Sequence, residues 1–109
     1  MTETKSVADV LDAAADLIEP EGAWTTGADA RRSDGGKTHG HDDQAICFCA
    51  EGAVIHVSGK RSKHDAFQLI RRVTRSSSIH EWNDAPERTQ TEVVAKLREA
   101  AALAREQGL

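Results

Sequence analysis

Apolar residues return at helical spacing in three stretches of the chain. In the first, Val7, Val10, Leu11, Ala14, Leu17 and Ile18 fall within an arc of roughly 120°, with Asp9, Asp12, Asp16 and Glu19 opposite. Ser6-Val7-Ala8-Asp9 supplies a capping-box-like start, and Pro20 and Gly22 supply the stop. The second runs from Ser62-Lys63-His64-Asp65, another such start, through Ala66, Leu69, Ile70 and Val73 to Ser76-Ser77-Ser78. The third opens on a full T-x-x-E capping box, Thr89 to Glu92, and carries Val93, Leu97, Ala100, Ala101 and Ala104 on one face. These patterns predict three amphipathic helices.

Residues 21–44 show no sustained period and are punctuated by Gly27, Gly35, Gly36 and Gly40. They read as a long irregular loop, of a length that in compact domains tends to carry function. Ala45 to Ser58 is ambiguous. Its Ile, Val, Cys and Phe favour a strand, with Glu51-Gly52 as the turn of a hairpin. Drawn as one helix capped by Asp42 or Asp43, it is apolar nearly all round, as a central buried helix is. The helix is the preferred reading. The expected fold is therefore all-α: a bundle of about four helices in a single domain, residues 1–109, with a long loop between the first two. The alternative is α+β with a hairpin at 45–58. The segment from Ile79 to Pro86 reads as a turn-rich connector.

Composition supports a globular chain: 39% of residues are apolar and 29% charged. No apolar run approaches the roughly 20 residues needed to cross a bilayer, so no membrane partner is expected. The N-terminus lacks the basic and apolar regions of a secretory signal, so a cytoplasmic location is expected, and with it reduced thiols at Cys47 and Cys49. The net charge of -4 disfavours general nucleic-acid binding. Six Lys or Arg nevertheless fall between Lys60 and Arg75 against one acid, Asp65. Nucleic acid could meet Lys63, Arg71, Arg72 and Arg75, but Gln68 alone offers little for reading bases, and a protein partner is preferred.

The densest set of metal-ligand types is His39, His41, Asp42 and Asp43 followed by Cys47 and Cys49. Its spacing departs from the C-x2-4-C and H-x3-5-H of structural zinc sites. On a helix, Cys47 and Cys49 diverge by about 200° and cannot chelate together, whereas on a strand they would share a face. Cys49, Gly52 and His56 lie on one helical face, but the Cys49 and His56 positions are roughly 10 Å apart along the axis, too far for a direct nucleophile-base pair. His80 or His41 could still reach Cys49 from elsewhere. No phosphate loop, dinucleotide fingerprint, nucleophile elbow or H-E-x-x-H is present. No metal, cofactor or catalytic residue is therefore expected.

Four segments carry a resemblance: V-A-D-V-L-x-x-A-A-D-L-I at Val7 to Ile18, E-G-A-W-T-x-G at Glu21 to Gly27, C-x-x-G-A at Cys49 to Ala53, and W-N-D-x-x-x-R-T-x-x-E-V at Trp82 to Val93. Together they resemble a small uncharacterised family, a domain of unknown function, of actinobacterial and phage genomes. The likeness spans Val7 to Glu106 and fails mainly between Asp29 and Asp43. In that family C-x-x-G-A often sits among helix-favouring neighbours, which implies a helix, while Val54-Ile55-His56-Val57 departs from the pattern; no activity is implied.

Only four aromatic residues are present, and both tryptophans fall in or beside irregular segments. Trp24, Arg31, Arg32, Trp82, Asn83, Asp84 and Arg88 are therefore the expected binding surface, tryptophan and arginine being the commonest hot-spot residues. The expected function is a non-catalytic protein-binding module, possessed by a phage or mobile element and acting on a host protein or complex. The alternative is a small-molecule or metal-binding protein or enzyme with its site near Cys49, His56 and the Trp24 loop.

Overall fold

The computed structural model describes residues 6–59 and 63–109. The Ser6 hydroxyl accepts the Asp9 N–H at 3.0 Å and starts α1 (Val7–Ile18), which buries Ala8, Val10, Leu11, Ala14, Ala15 and Ile18. The long α5 (Gln90–Glu106) begins with the expected reciprocal Thr89/Glu92 capping box and buries Val93, Leu97, Ala100, Ala101 and Ala104. These two helices pack face to face as the principal layer of the core. Gln90 also joins them at one end: its Nε2 donates to the Ile18 and Pro20 carbonyls, each at 2.7 Å, and so satisfies acceptors that the end of α1 leaves unpaired.

The acids opposite the apolar face of α1 are not simply solvated. Arg98 reaches Asp12 at 3.2 Å and Asp16 at 2.6 Å, and Arg105 reaches Asp12 at 2.6 Å. The basic helix α3 (His64–Thr74) buries Ala66, Leu69 and Ile70 against this pair and ends at Arg75 in a left-handed conformation, φ 57°. The Ser62 start expected for α3, with Lys60 and Arg61, lies outside the described residues.

The all-α expectation is overturned. Among the described residues there are five helices and a three-stranded antiparallel sheet, order β2-β1-β3. The stretch read as loop contains β1 (Ala30–Arg32) and β2 (Lys37–Thr38), paired Ala30 with Thr38 and Arg31 with Lys37. β3 (Ala45–Phe48) pairs with the other edge of β1, with a bulge between Arg31 and Arg32. Beyond it, Phe48 exchanges hydrogen bonds with Ala23 and Thr25, so the Trp24 segment runs parallel along the outer edge.

Ala45 to Ser58 is neither one helix nor a hairpin. The chain leaves β3 at Cys49 and enters α2 (Ala50–Ser58) at once, so Glu51-Gly52 is a helical first turn. Cys49 is the cap: its backbone is extended and its Sγ accepts the Gly52 N–H at 3.2 Å. The uniform apolarity of the segment hid this switch, because a buried strand and a buried helix share it and cysteine is not a usual capping residue. The connector after α3 likewise holds a helical turn, α4 (Ile79–Asn83), capped by the Ser78 hydroxyl. No helix among the described residues is long and apolar enough to cross a membrane.

Two carboxylates tie pH to this architecture. Burial works to raise the pKa of Asp12, but the Arg105 and Arg98 hydrogen bonds outweigh it and hold it below the usual carboxylate range. Asp42, bonded by the Thr38 hydroxyl, the Gln44 N–H and Arg32, is held well below that range. A lowered folded pKa means the unfolded chain binds protons first as pH falls, so the stabilisation is complete above the ordinary Asp pKa of about 3.9 and is lost on passing the folded value. Urea unfolding followed by circular dichroism is expected to show stability falling between about pH 4 and pH 2, and falling less in Asp12→Asn. A flat profile in the native chain would contradict this account.

Candidate metal centre

The expected binding residues divide into three groups. Asn83 is completely buried, and its amide uses its full bonding capacity. Its Oδ1 accepts from Trp24 Nε1 at 2.8 Å and from the Ala50 N–H at 3.1 Å. Its Nδ2 donates to the Thr25 carbonyl at 3.1 Å and to Asp84 Oδ1 at 2.9 Å. Trp24, Asn83 and Asp84 thus form a clasp between the segment preceding β1, the first turn of α2, and α4. Trp82 and Arg88 form a separate stack: the guanidinium lies 4.2 Å from the indole centroid, its Nε donates to the Trp82 carbonyl at 2.8 Å, and it pairs with Glu92 at 3.3 Å. Arg31 and Arg32 brace the sheet, the first on Thr25, Thr26 and Gly35, the second on Asp42.

The clasp brings a second group of side chains together. Asp29 lies directly on the first turn of α2, where its carbonyl accepts the Cys49 N–H at 3.0 Å. The approach is so close that a Cβ on Gly52 would fall 1.9 Å from that oxygen, so only glycine fits. This sets the Asp29 carboxylate 4.0 Å from Cys49 Sγ. From α4, His80 presents Nε2 at 3.3 Å from Asp29 Oδ1 and in contact with Glu51 Oε2. One ligand atom each from Asp29, Cys49 and His80 lies within 4.8 Å of the others. Cys49 forms the buried floor, Asp29 and Glu51 are partly covered, and the His80 side opens to solvent with that side chain 49% exposed.

Burial pushes the Cys49 thiol up to about 12, and the Asp29 and Glu51 charges add to this against N–H groups from Gly52 and Glu51. At neutral pH the sulfur is therefore a protonated thiol and a poor nucleophile. His56 takes no part: its Nδ1 pairs with the Gly40 carbonyl at 2.8 Å and its ring packs on Phe48. Cys47 stays in β3, apart from this cluster, while His39 and His41 lie beside each other with ring centroids 6.1 Å apart and planes tilted by 54°. The sequence allows His80 an approach to Cys49 but marks neither Asp29 nor Glu51. The three segments are far apart in sequence, and no ligand spacing marks them.

Fold and cluster together define a small α+β domain with a Cys-His-carboxylate group at the junction of three segments. The chain belongs to a family of unknown function, DUF6197, whose model matches residues 2–103. No curated protein and no solved structure matches it.

Asn83→Ala would strand the Trp24 and Ala50 N–H groups and the Thr25 carbonyl, and is expected to cost about 2–4 kcal/mol in urea unfolding. A loss under about 1 kcal/mol would remove the clasp from the account. Alkylation at pH 8 is expected to label Cys47 well before Cys49 in the folded chain, by mass spectrometry of digests. Equal rates would contradict the buried, protonated thiol.

Proposed function

We propose that this protein binds one divalent transition-metal ion of the zinc class through Asp29, Cys49 and His80. The observation that carries this reading is the convergence of a carboxylate, a sulfur and an imidazole nitrogen within 4.8 Å, delivered by three segments that the Asn83 clasp holds together. Zinc-ligand bonds of roughly 2.0–2.3 Å place tetrahedral donor atoms about 3.3–3.8 Å apart, so small side-chain rotations complete the geometry. The donor set also selects the ion. Magnesium and calcium take oxygen ligands, whereas thiolate and imidazole suit zinc and its neighbours. With Cys49 as thiolate, Asp29 ionised and His80 neutral, the ligand charge balances a dication, and the ion takes the place of the thiol proton.

A protein-binding module is the second reading, favoured by Ile46, which is 57% exposed at the bulge in β3. A single exposed apolar side chain is ordinary on a protein surface, whereas a converged S, N and O set is not, so the metal reading takes precedence.

Protein made without a histidine tag, stripped with chelator and titrated with Zn(II) in a calorimeter, is expected to take up one ion per chain. Cys49→Ser keeps a good helix cap while removing the thiolate, and is expected to weaken binding at least tenfold, as is His80→Ala. Cys47→Ser is expected to change nothing. Absence of stoichiometric binding, or full affinity in Cys49→Ser, would overturn the proposal.

A further inference from the structure

We infer that the exposed face of α3 docks on the phosphodiester backbone of duplex DNA through Arg71, Arg72 and Arg75. The inference is independent of the metal reading.

At the angular spacing of a helix, Gln68, Arg71, Arg72 and Arg75 fall within about 100° of arc, opposite the buried Ala66, Leu69 and Ile70. They form a stripe roughly 10 Å long. Arg71 is half-buried and the other three are exposed. Gln68, Arg71 and Arg72 line an open depression along it. The acid in this helix, Asp65, stands back in the first turn.

These guanidinium groups differ from the others in the protein. Arg32, Arg88, Arg98 and Arg105 each meet a carboxylate, and Arg31 is bonded to Thr25, Thr26 and Gly35. Among the described residues, the Arg71 side chain bonds only to Gln68, at 3.4 Å, and the side chains of Arg72 and Arg75 have no hydrogen bond or ion pair. A chain with 18 acids and 14 Lys or Arg thus leaves one row of arginines uncompensated. The net charge of -4 is a sum over the whole chain, whereas contact with a polyanion is governed by the local field.

The backbone at Arg75 is a second, separate observation. Among the described residues it is the one position other than glycine with a positive φ, 57°, at the cap of α3 where glycine or asparagine is the usual choice. A long side chain strains the backbone there, and what the position gains is a third guanidinium, one turn beyond Arg71.

The form of the stripe selects its partner. It has no walls to enclose a free phosphate metabolite, and a single phosphorylated side chain would call for a convergent cluster rather than a row. A row of guanidinium forks matches the repeated phosphates of a strand. No aromatic residue lies in the stripe for unpaired bases to stack on, which sets single strands aside. With Gln68 alone to meet base edges, the contact is independent of sequence.

A fluorescein-labelled duplex of about 20 base pairs would be titrated with the full chain from about 50 mM salt upward and followed by anisotropy. Two unrelated sequences are expected to bind equally, with log K falling against log salt at a slope of about -2.7, as for three phosphate contacts. Arg71→Gln, Arg72→Gln and Arg75→Gln, each confirmed as folded by circular dichroism, are expected to make that slope shallower by about 1. Lys37→Gln, which removes the same charge from β2, is expected to leave it unchanged. Arg75→Gly is expected to lose the same contact yet unfold at higher urea, because glycine takes the left-handed conformation without strain. No duplex binding at the lowest salt, native slopes in the arginine variants, or tighter binding of a single strand or a phosphoserine peptide than of the duplex would overturn the proposal. So would an Arg75→Gly chain that is less stable than the native one, since Arg75 would then serve the fold.

Discussion

A buried amide must have its two donors and two acceptor sites met inside the protein, because water cannot reach it. That requirement at Asn83 organises the half of the molecule that the helix pairing leaves undetermined. Its partners are an indole from the segment after α1, a backbone N–H from the first turn of α2, a carbonyl beside the indole, and the neighbouring Asp84. Each bond fixes a different segment, and each would be costly to leave unmade at zero exposure. Once Trp24 and Ala50 are held to the same oxygen, the chain between them has little freedom in how it leaves and returns. The short strands β1, β2 and β3 are what that excursion forms, with Arg31 and Asp42 fastening its turns.

The helical layer obeys a simpler rule. α1 and α5 meet through small and branched apolar side chains, with alanines at several of the buried positions, which allows close approach. Along the margin of that contact the acids of α1 meet the arginines of α5. Such exposed pairs contribute modestly to stability, yet they fix which face of each helix lies at the edge of the core. α3 joins this layer by its own apolar stripe and leaves its arginines toward solvent. The polar clasp and the apolar layer are thus two separate devices, and α4 is where they join: Ile79 belongs to the core and Asn83 to the clasp.

What was legible in the sequence follows this division. α1, α3 and α5 carry a period of 3.6 and, for α1 and α5, capping hydroxyls that the structure uses as expected. Strands of three, two and four residues are too short to show a period, and Ala30-Arg31-Arg32 has no apolar alternation to show. They exist because tertiary contacts align them. The cluster was hidden for the same reason: its residue types were visible, but nothing in their spacing says that Asp29 and His80 converge on Cys49. Gly52 held the one local sign. A glycine three residues into a helix indicates a close neighbour, and that neighbour is the Asp29 backbone.

Sulfur is a poor choice if capping α2 were the whole role of Cys49. Serine, aspartate or asparagine accept an N–H more strongly at a helix start, and none would have to sit as a buried thiol with its ionisation pushed up to about 12. The penalty on the thiolate comes from burial and from two nearby carboxylates, and a bound dication would offset both, since its attraction to sulfur and to Asp29 is strong in a buried setting. The features that make Cys49 inert as a nucleophile are therefore those that would make it a firm metal ligand. The helix N-terminus adds to this, since the Gly52 N–H that bonds to the sulfur favours its anionic form. A capping atom that is suboptimal as a cap, buried beside acids and an imidazole, is the feature that the proposed metal ion would account for.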